Sequence, residues 1–568
     1  MELYQINYRQ KLLIILKINP MKKILFFTFL ISFNFINAQV TCETPKTKII
    51  LTGDSWADFP FGFGTISGNL DRYGFTNVKM YSSSALSVSG IETANMLQPS
   101  YITNLQNELI AHPDVEIVIV SIGGNDMLNN WNTSMDSLQT DSLITDVFIR
   151  IDSIISKIKG LKTNLQIFLP GYDYGNFGEV INTFSVPSLH PFYSKWSSMG
   201  NPNFLELNSL MNIVSKRFKA LGLKYQITYN DASGLMQYVY GQQNPLGVSP
   251  GGTYAPRSVT VPGGNLNYPS PKVAIRDYGP FRDCFHLSAE GFDHFYSYHF
   301  KNYFWKYLRQ NVDTTFYSEG NNKDGGVSLS SVINNEISIG DTPATSTIFK
   351  GIVSFNTSSI PNSSVIQNSN LYIYRSNLSG SLPVFDKVIL EIKKGNFGTT
   401  SSVEIADYSS VSDAKDTACV YGTVAKNGYW LRIKLPNSVQ AEINKLGVTQ
   451  FKISMLDTTN GSVLHFSTGD STNKPMLDIE YYNPTSLEKN NLENLITIFP
   501  NPIDGNVLNI RGVNDGETQI SVVDLMGRKM QINLISNQKI DVSYFKKGVY
   551  FILFENENKR LSKRFIKL

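Results

Sequence analysis

The sequence predicts an α/β fold in its first half, a three-layer α/β/α domain, followed by a β-sandwich and a small C-terminal β-domain. Three observations carry this reading. Between residue 46 and about residue 310, short continuous apolar runs alternate with longer helical stretches, the pattern of parallel strands covered by helices on both faces. From about Asp324 to Tyr482 the texture becomes short runs of alternating Ser, Thr, Val and Ile, as in antiparallel sandwiches. A polar stretch then separates a last β-rich unit. The expected divisions are 1–38 (an upstream extension and a signal peptide), 39–315, 322–483, a linker at 484–494, and 495–568.

Taken in order, Ile49 to Leu51, Val115 to Val120 and Leu165 to Leu169 are apolar runs of strand length. Thr93 to Ala111, Ser142 to Leu161 and Phe204 to Leu221 read as helices. A last helix runs from Ser288 to about Leu308, with Ser288 as N-cap and Glu290 near the first turn. Residues 232–282 break the alternation. They are rich in Gly and Pro (Pro245, Pro250, Pro262, Pro269, Pro271) and carry Tyr238, Tyr240, Tyr254, Tyr268 and Tyr278. A long insertion of this kind is commonly a functional loop, and because it runs directly into Asp283 it is expected to overhang the site. Gly351 to Phe355, Asn370 to Tyr374, Tyr429 to Ile433 and Met476 to Tyr481 read as antiparallel strands of the sandwich.

Composition narrows the class. The chain is 42% hydrophobic and 17% charged, enough apolar matter for folded cores. A net charge of +3 gives no sign of a nucleic-acid or anionic-membrane partner. The three cysteines (Cys42, Cys284, Cys419) allow one disulfide and leave one thiol over. Cys42 with Cys284 is one pairing, since both belong to the first domain, but the sequence does not select it. Residues 21–38 read as a secretory signal: Met21-Lys22-Lys23, a short apolar core from Ile24 to Phe35, and Ala38 before Gln39. That core, interrupted by Ser32 and Asn34, is short for a membrane span, so cleavage and export without a membrane anchor are expected.

Chemistry collects at strand ends, where ligands sit in doubly wound sheets. Gly53-Asp54-Ser55 follows the first strand, and Gly123-Gly124-Asn125-Asp126 follows the next. A serine hydroxyl needs a base to act as nucleophile. Of the six histidines only His286 has a carboxylate three residues ahead, Asp283, here placed in a tight loop where it can fix the imidazole tautomer. His112, His190, His294, His299 and His465 read as surface or packing residues, the second and last without supporting neighbours. The amides of Ser55 and Gly90 and the side chain of Asn125 could serve an oxyanion hole. His286 must be neutral to act as base, so activity should fall in acid. No zinc motif or phosphate loop is present, and catalysis without a metal or organic cofactor is expected.

Together these motifs resemble the SGNH (GDSL-type) hydrolase superfamily. Gly53-Asp54-Ser55, Ser87 to Thr93, Gly123 to Asp126 and Asp283-Cys284-Phe285-His286 look like its first, second, third and fifth blocks. The resemblance spans about residues 46–310. It implies a flavodoxin-like sandwich, Ser55 as nucleophile, His286 as base, Asp283 as its partner, and Gly90 and Asn125 as oxyanion donors beside the Ser55 amide. Two departures stand out: Trp56 replaces the commoner small aliphatic residue, and the second block lacks an Asn ahead of Gly90. Ile498 to Pro502, Val523 to Arg528, Lys547 to Leu553 and the basic end Lys563 to Leu568 resemble the type A sorting domain of the type IX secretion system of Bacteroidetes. This implies passage through the periplasm and across the outer membrane, with the secretion machinery as partner. Phe355 to Pro361 and Lys474 to Tyr481 look like DNRLRE-type β-domains of polysaccharide-active proteins, though a plain spacer explains the same strands. The expected activity is a secreted serine esterase acting on O-acyl, especially O-acetyl, groups of a polysaccharide. The competing readings are a lipase or lysophospholipase and, without catalysis, a surface glycan-binding protein on an inactive hydrolase fold.

Overall fold

The computed structural model describes residues 40–241, 255–309, 312–457, 461–483, 496–511, 519–536, 538–556 and 559–568. The signal segment, the linker at 484–494, and Pro245, Pro250 and Tyr254 of the aromatic insertion lie outside the described residues. The chain divides into two compact units: the α/β and sandwich regions form one, and residues 481–568 with 361–365 form the other.

In the first unit a five-stranded parallel sheet has the order β2-β1-β3-β4-β5. Its strands are β1 (Lys46–Gly53), β2 (Val78–Tyr81), β3 (Ile117–Ser121), β4 (Gln166–Leu169) and β5 (Thr228–Tyr229). This is the flavodoxin-like order, in which the chain reverses its winding between β1 and β3 and opens a crevice there. Ile49 to Leu51 and Ile117 to Ile119 have no exposed surface, which is why both strands read as unbroken apolar runs. Residues Ile49 to Gly53 lie in register with Ile117 to Ser121, so the Gly-Asp-Ser and Gly-Gly-Asn-Asp motifs leave adjacent strands at the same edge.

Several helices differ from expectation for local reasons. The stretch from Thr93 to Ala111 is two helices, Thr93–Met96 and Pro99–Ala111. Pro99 has no amide to continue the first and suits the opening position of the second. The helix expected from Ser142 begins at Ser137, because Asp136 and Gln139 form a capping box. The one- and two-turn helices Ser55–Gly62, Thr65–Arg72, Gly124–Asn130, Phe177–Asn182 and Leu235–Tyr240 are too short to show an apolar period. Phe204–Tyr225 forms as expected, and the last helix reaches Leu308 as expected, as Ala289–His299, a π-helical stretch Phe300–Phe304 and Trp305–Leu308; Ser288 caps it, its side chain accepting from the Gly291 amide. Asp283 and His286 do not sit in a loop. They lie on β7 (Phe281–Leu287), which pairs with β6 (Ile275–Tyr278) in an antiparallel hairpin, so the insertion ends in a ribbon.

The sandwich region closes on itself. Strands at 348–356, 337–341, 462–466, 365–380, 430–434, 414–421, 387–394 and 448–455 pair in that order, and the last pairs back with the first. Gly325–Val327 and Val332–Ile333 extend the ring beyond Ile348–Asn356, so the region is a closed ring with short strands added to it rather than a simple two-sheet stack. Thr314–Tyr317, ahead of the expected start at 322, pairs with Met476–Ile479 and belongs to this region.

Ring and α/β region are joined covalently and by polar contacts. Cys42 is disulfide-bonded to Cys419, and Cys284 is free and fully buried. The Cys42–Cys284 pairing is therefore not made: Cys284 is enclosed in the core on β7, whereas Cys42 precedes β1 and meets the ring strand Ala414–Tyr421. Arg432 donates to the Gly74 carbonyl at 3.0 Å and to Asn77 Oδ1 at 2.6 Å. Lys434 pairs with Glu43. Arg309 grips Asp478 through two hydrogen bonds of 2.5 and 2.6 Å, and Trp305 packs against Trp430 at 5.1 Å.

The second unit holds two four-stranded antiparallel sheets over a core that includes Ile503, Leu508, Val522, Ile540, Ile552 and Phe565. In the Val523 to Arg528 motif, Asp524 closes the turn by accepting from the amides of Met526 and Arg528 and from Arg528 Nε.

Candidate active site

Ser55 is the first residue of the helix Ser55–Gly62, which starts immediately beyond β1. Asp54 caps that helix by accepting from the Trp56 amide at 2.9 Å. Gly53 has φ +131°, and a Cβ there would lie 1.8 Å from the Ser121 carbonyl oxygen. The close passage of β1 and β3 thus requires glycine and sets the direction from which Ser55 enters its helix. Gly53→Ala is expected to destabilise the fold by about 3 kcal/mol and to displace Ser55; chemical denaturation together with an activity assay checks both.

Ser55 Oγ lies 2.7 Å from His286 Nε2, and His286 Nδ1 lies 2.9 Å from Asp283 Oδ2. Asp283 and His286 face each other on a strand because the Asp283 carboxylate bends the backbone locally. Its Oδ1 accepts from the amides of Phe285 at 3.0 Å and His286 at 3.1 Å. Burial pushes the Asp283 carboxyl up, but the bond and charge of His286, the Phe285 amide and Arg276 outweigh burial and hold it down to about 2. With a folded pKa below the ordinary value, its contribution to stability is present above about pH 4 and is lost as the pH falls towards 2.

The expected oxyanion groups lie on both sides of this array. Val88 donates to the Gly53 carbonyl at 2.8 Å and Asn125 Nδ2 donates to the Ile91 carbonyl at 3.0 Å, so the loop carrying Gly90 is tied to both neighbouring motifs. Gly90 has φ +86° and open space about its Cα. Neither the Ser55 nor the Gly90 amide makes a hydrogen bond among the described residues. The blocks are locked together by buried groups. Asp126 accepts from the amide of Thr93 at 2.9 Å and from its hydroxyl at 2.6 Å. Tyr172 donates to Asp54 Oδ2 at 2.6 Å and accepts from the Gly124 amide at 3.1 Å. Burial pushes the Asp54 carboxyl up to about 7, against the pull of Tyr172, the Trp56 amide and Ser121. Trp56 fits where a small residue is commoner because Tyr172, Phe292 and Phe295 surround it edge-on at 5.2–5.3 Å.

Two neighbours escaped sequence reasoning. Arg276 Nε donates at 2.8 Å to Asp283 Oδ2, the same oxygen that faces His286. Phe59, one helical turn after Ser55, has the Arg276 guanidinium 3.9 Å from its ring centre and the His286 ring at 4.7 Å. The i, i+4 spacing from Ser55 could have suggested Phe59. Nothing local marked Arg276, which meets Asp283 only across the hairpin.

The other histidines are set differently. His299 is fully buried, which lowers its pKa to about 3, and its Nδ1 lies 2.9 Å from Asn230 Nδ2. His190 is enclosed by Phe184, Phe192 and Phe281. His112 and His294 lie beside Glu108 and Glu290 at 3.8 Å. His465, expected to lack neighbours, has Glu336 Oε1 at 2.8 Å and Ser338 Oγ at 3.0 Å from Nδ1, and Ser379 Oγ at 3.0 Å from Nε2. Those partners come from adjacent ring strands far apart in sequence. No group of His, Cys, Asp and Glu suited to a metal ion occurs among the described residues.

Residues 497–568 match a family described as a secretion system C-terminal sorting domain. The chain is thus marked for export by the type IX route, to the cell surface or the extracellular space, and none of its described helices is long and apolar enough to cross a membrane. No curated protein matches the sequence. Among solved structures, it is similar to a gut microbial diltiazem-metabolizing enzyme (9% identity, 64% of this chain and 72% of that one, TM-score 0.32). It is also similar to a GDSL-like lipase from Bacteroides thetaiotaomicron (13% identity, 46% and 89%, TM-score 0.25). A third is the periplasmic domain of a lipopolysaccharide acetyltransferase from Salmonella ser. Paratyphi A (16% identity, 47% and 86%, TM-score 0.25).

Proposed function

We propose that this exported chain is a serine ester hydrolase. The observation that carries the reading is the unbroken chain of contacts from Ser55 Oγ to His286 Nε2 at 2.7 Å and from His286 Nδ1 to Asp283 Oδ2 at 2.9 Å. In this reading Ser55 Oγ attacks the ester carbonyl carbon while His286 Nε2 takes its proton. The amides of Ser55 and Gly90 and the second Nδ2 hydrogen of Asn125 stabilise the tetrahedral oxyanion. Collapse expels the alcohol, which takes the proton from His286 and leaves an acyl group on Ser55. Water, deprotonated by His286, then attacks the acyl carbonyl, and the acid leaves as Ser55 Oγ takes the proton back from His286.

For the alcohol part we favour a polysaccharide. Phe63 stacks on Phe59, and Tyr278 lies beside Arg276. Both rings are exposed, one residue removed from His286 through Phe59 and from Asp283 through Arg276, and offer faces for sugar stacking. The test is hydrolysis of p-nitrophenyl esters and of acylated polysaccharides by the protein and by Ser55→Ala. Tight glycan binding by a folded protein that cleaves no ester would replace this reading with the binding-protein one.

Arg276 serves in this scheme as a positioning residue that shares the Asp283 charge with His286. Arg276→Met leaves more of that charge to stabilise the imidazolium. The acid limb of kcat/KM against pH is therefore expected to move up by about one unit, with Arg276→Lys close to the parent. An unmoved limb in Arg276→Met would show that Arg276 acts on the hairpin alone.

A further inference from the structure

We propose that the cavity beside Ser55 is an acyl site shaped for a chain of about four to six carbons, so that acetyl is a poor substrate. This rests on the ester-hydrolase reading. Ser55 and Asn125 form part of the cavity wall, and Met127, Phe177, Leu207, Leu210, Met211 and Phe285 form much of the rest. Leu207, Leu210 and Met211 come from one face of the helix Phe204–Tyr225, at the spacing that places side chains together. Met127 comes from the helix Gly124–Asn130 that also carries Asn125, so the same element presents an oxyanion donor and a wall residue.

Apart from the Ser55 and Asn125 donors assigned to the oxyanion, the carboxylates of the wall are already engaged. Asp54 accepts from Tyr172 and the Trp56 amide, and Asp173 accepts from the amides of Tyr174, Gly234 and Met236. A sugar hydroxyl or a charged group in this cavity would give up water for an apolar wall. A hydrocarbon chain would lose nothing. The cavity volume is about 50 Å³, room for roughly four water-sized groups. An acetyl methyl fills about one of them, and a butyryl to hexanoyl chain fills the rest. The two methionines let the wall close on chains of slightly different length.

The experiment measures kcat/KM of the full chain on p-nitrophenyl acetate, butyrate, hexanoate and decanoate, beside Ser55→Ala. Each methylene taken into the cavity is worth about fourfold, so butyrate is expected to exceed acetate about tenfold or more, with a fall by decanoate. Met211→Trp, at a partly exposed wall position, is expected to lower the hexanoate-to-acetate ratio at least tenfold. Should that variant fold poorly, Leu210→Ala decides, with its optimum expected at longer chains. Ser55-dependent hydrolysis that is as fast on acetate as on hexanoate would overturn the acyl-site inference and leave the hydrolase standing. An optimum that neither variant moves would do the same. Loss of Ser55 without effect at any chain length would remove both.

Discussion

Ser55→Ala is expected to lower kcat/KM for every ester by about four orders of magnitude or more, while the protein stays folded. The size follows from what the hydroxyl does. In the proposed reaction it is the atom that bonds to substrate, and neither His286 nor the oxyanion donors can replace it. The fold has little stake in it, because among the described residues the Oγ makes its hydrogen bond to His286 alone and alanine suits the opening turn of a helix. Asp54 still caps that turn through the Trp56 amide. The residual rate reports what binding and the oxyanion groups achieve without the nucleophile. Rates on p-nitrophenyl butyrate, read beside the thermal midpoint, check the prediction. A variant retaining a tenth of the parent activity at an unchanged midpoint would point to a different nucleophile.

The second large effect concerns stability. Replacing Cys42 and Cys419 together by serine is expected to cost about 2–4 kcal/mol and to lower the thermal midpoint by several degrees, with ester hydrolysis at 25 °C nearly unchanged. The crosslink spans 377 residues, so it restricts a very long loop of the unfolded chain. Its distance from the chemistry comes from the sheet: Cys42 lies ahead of β1, whereas Ser55 follows the far end of that eight-residue strand, roughly 25 Å along its axis. The Arg432, Lys434 and Arg309 contacts remain in the variant and keep the two regions joined. A midpoint unchanged within a degree would show that those contacts suffice.

What could be read in advance divides by range. Strand-end motifs were legible because parallel strands buried on both faces leave apolar runs, and the residues after them are forced to the crevice. Ser55, Asp283 and His286 were within reach, since an Asp three residues before a His is a local signal. Arg276 was not, because the hairpin that brings it to Asp283 lay in a stretch read as an aromatic loop. The ring closure was equally hidden: each strand announced itself, but the pairing of Ile348–Asn356 with Val448–Met455 joins segments with no sequence relation. The Cys42–Cys419 bond belongs to the same class: shared membership of the first domain made Cys284 one possible partner, and the sequence selected none. The acyl cavity was invisible for a different reason. Its wall gathers single residues from several short elements, and none of them departs from the pattern of an ordinary core residue.

That same bond sets an order of events. Cys42 precedes Cys419 by 377 residues, a stretch that holds nearly the whole α/β region and much of the ring. Until the ring strand Ala414–Tyr421 takes its place, Cys42 carries a free thiol. A chain truncated or stalled anywhere between the two cysteines keeps that thiol exposed to other disulfide partners. Closure of the crosslink thus acts as a completion mark, distinguishing a chain with both regions in place from an α/β fragment.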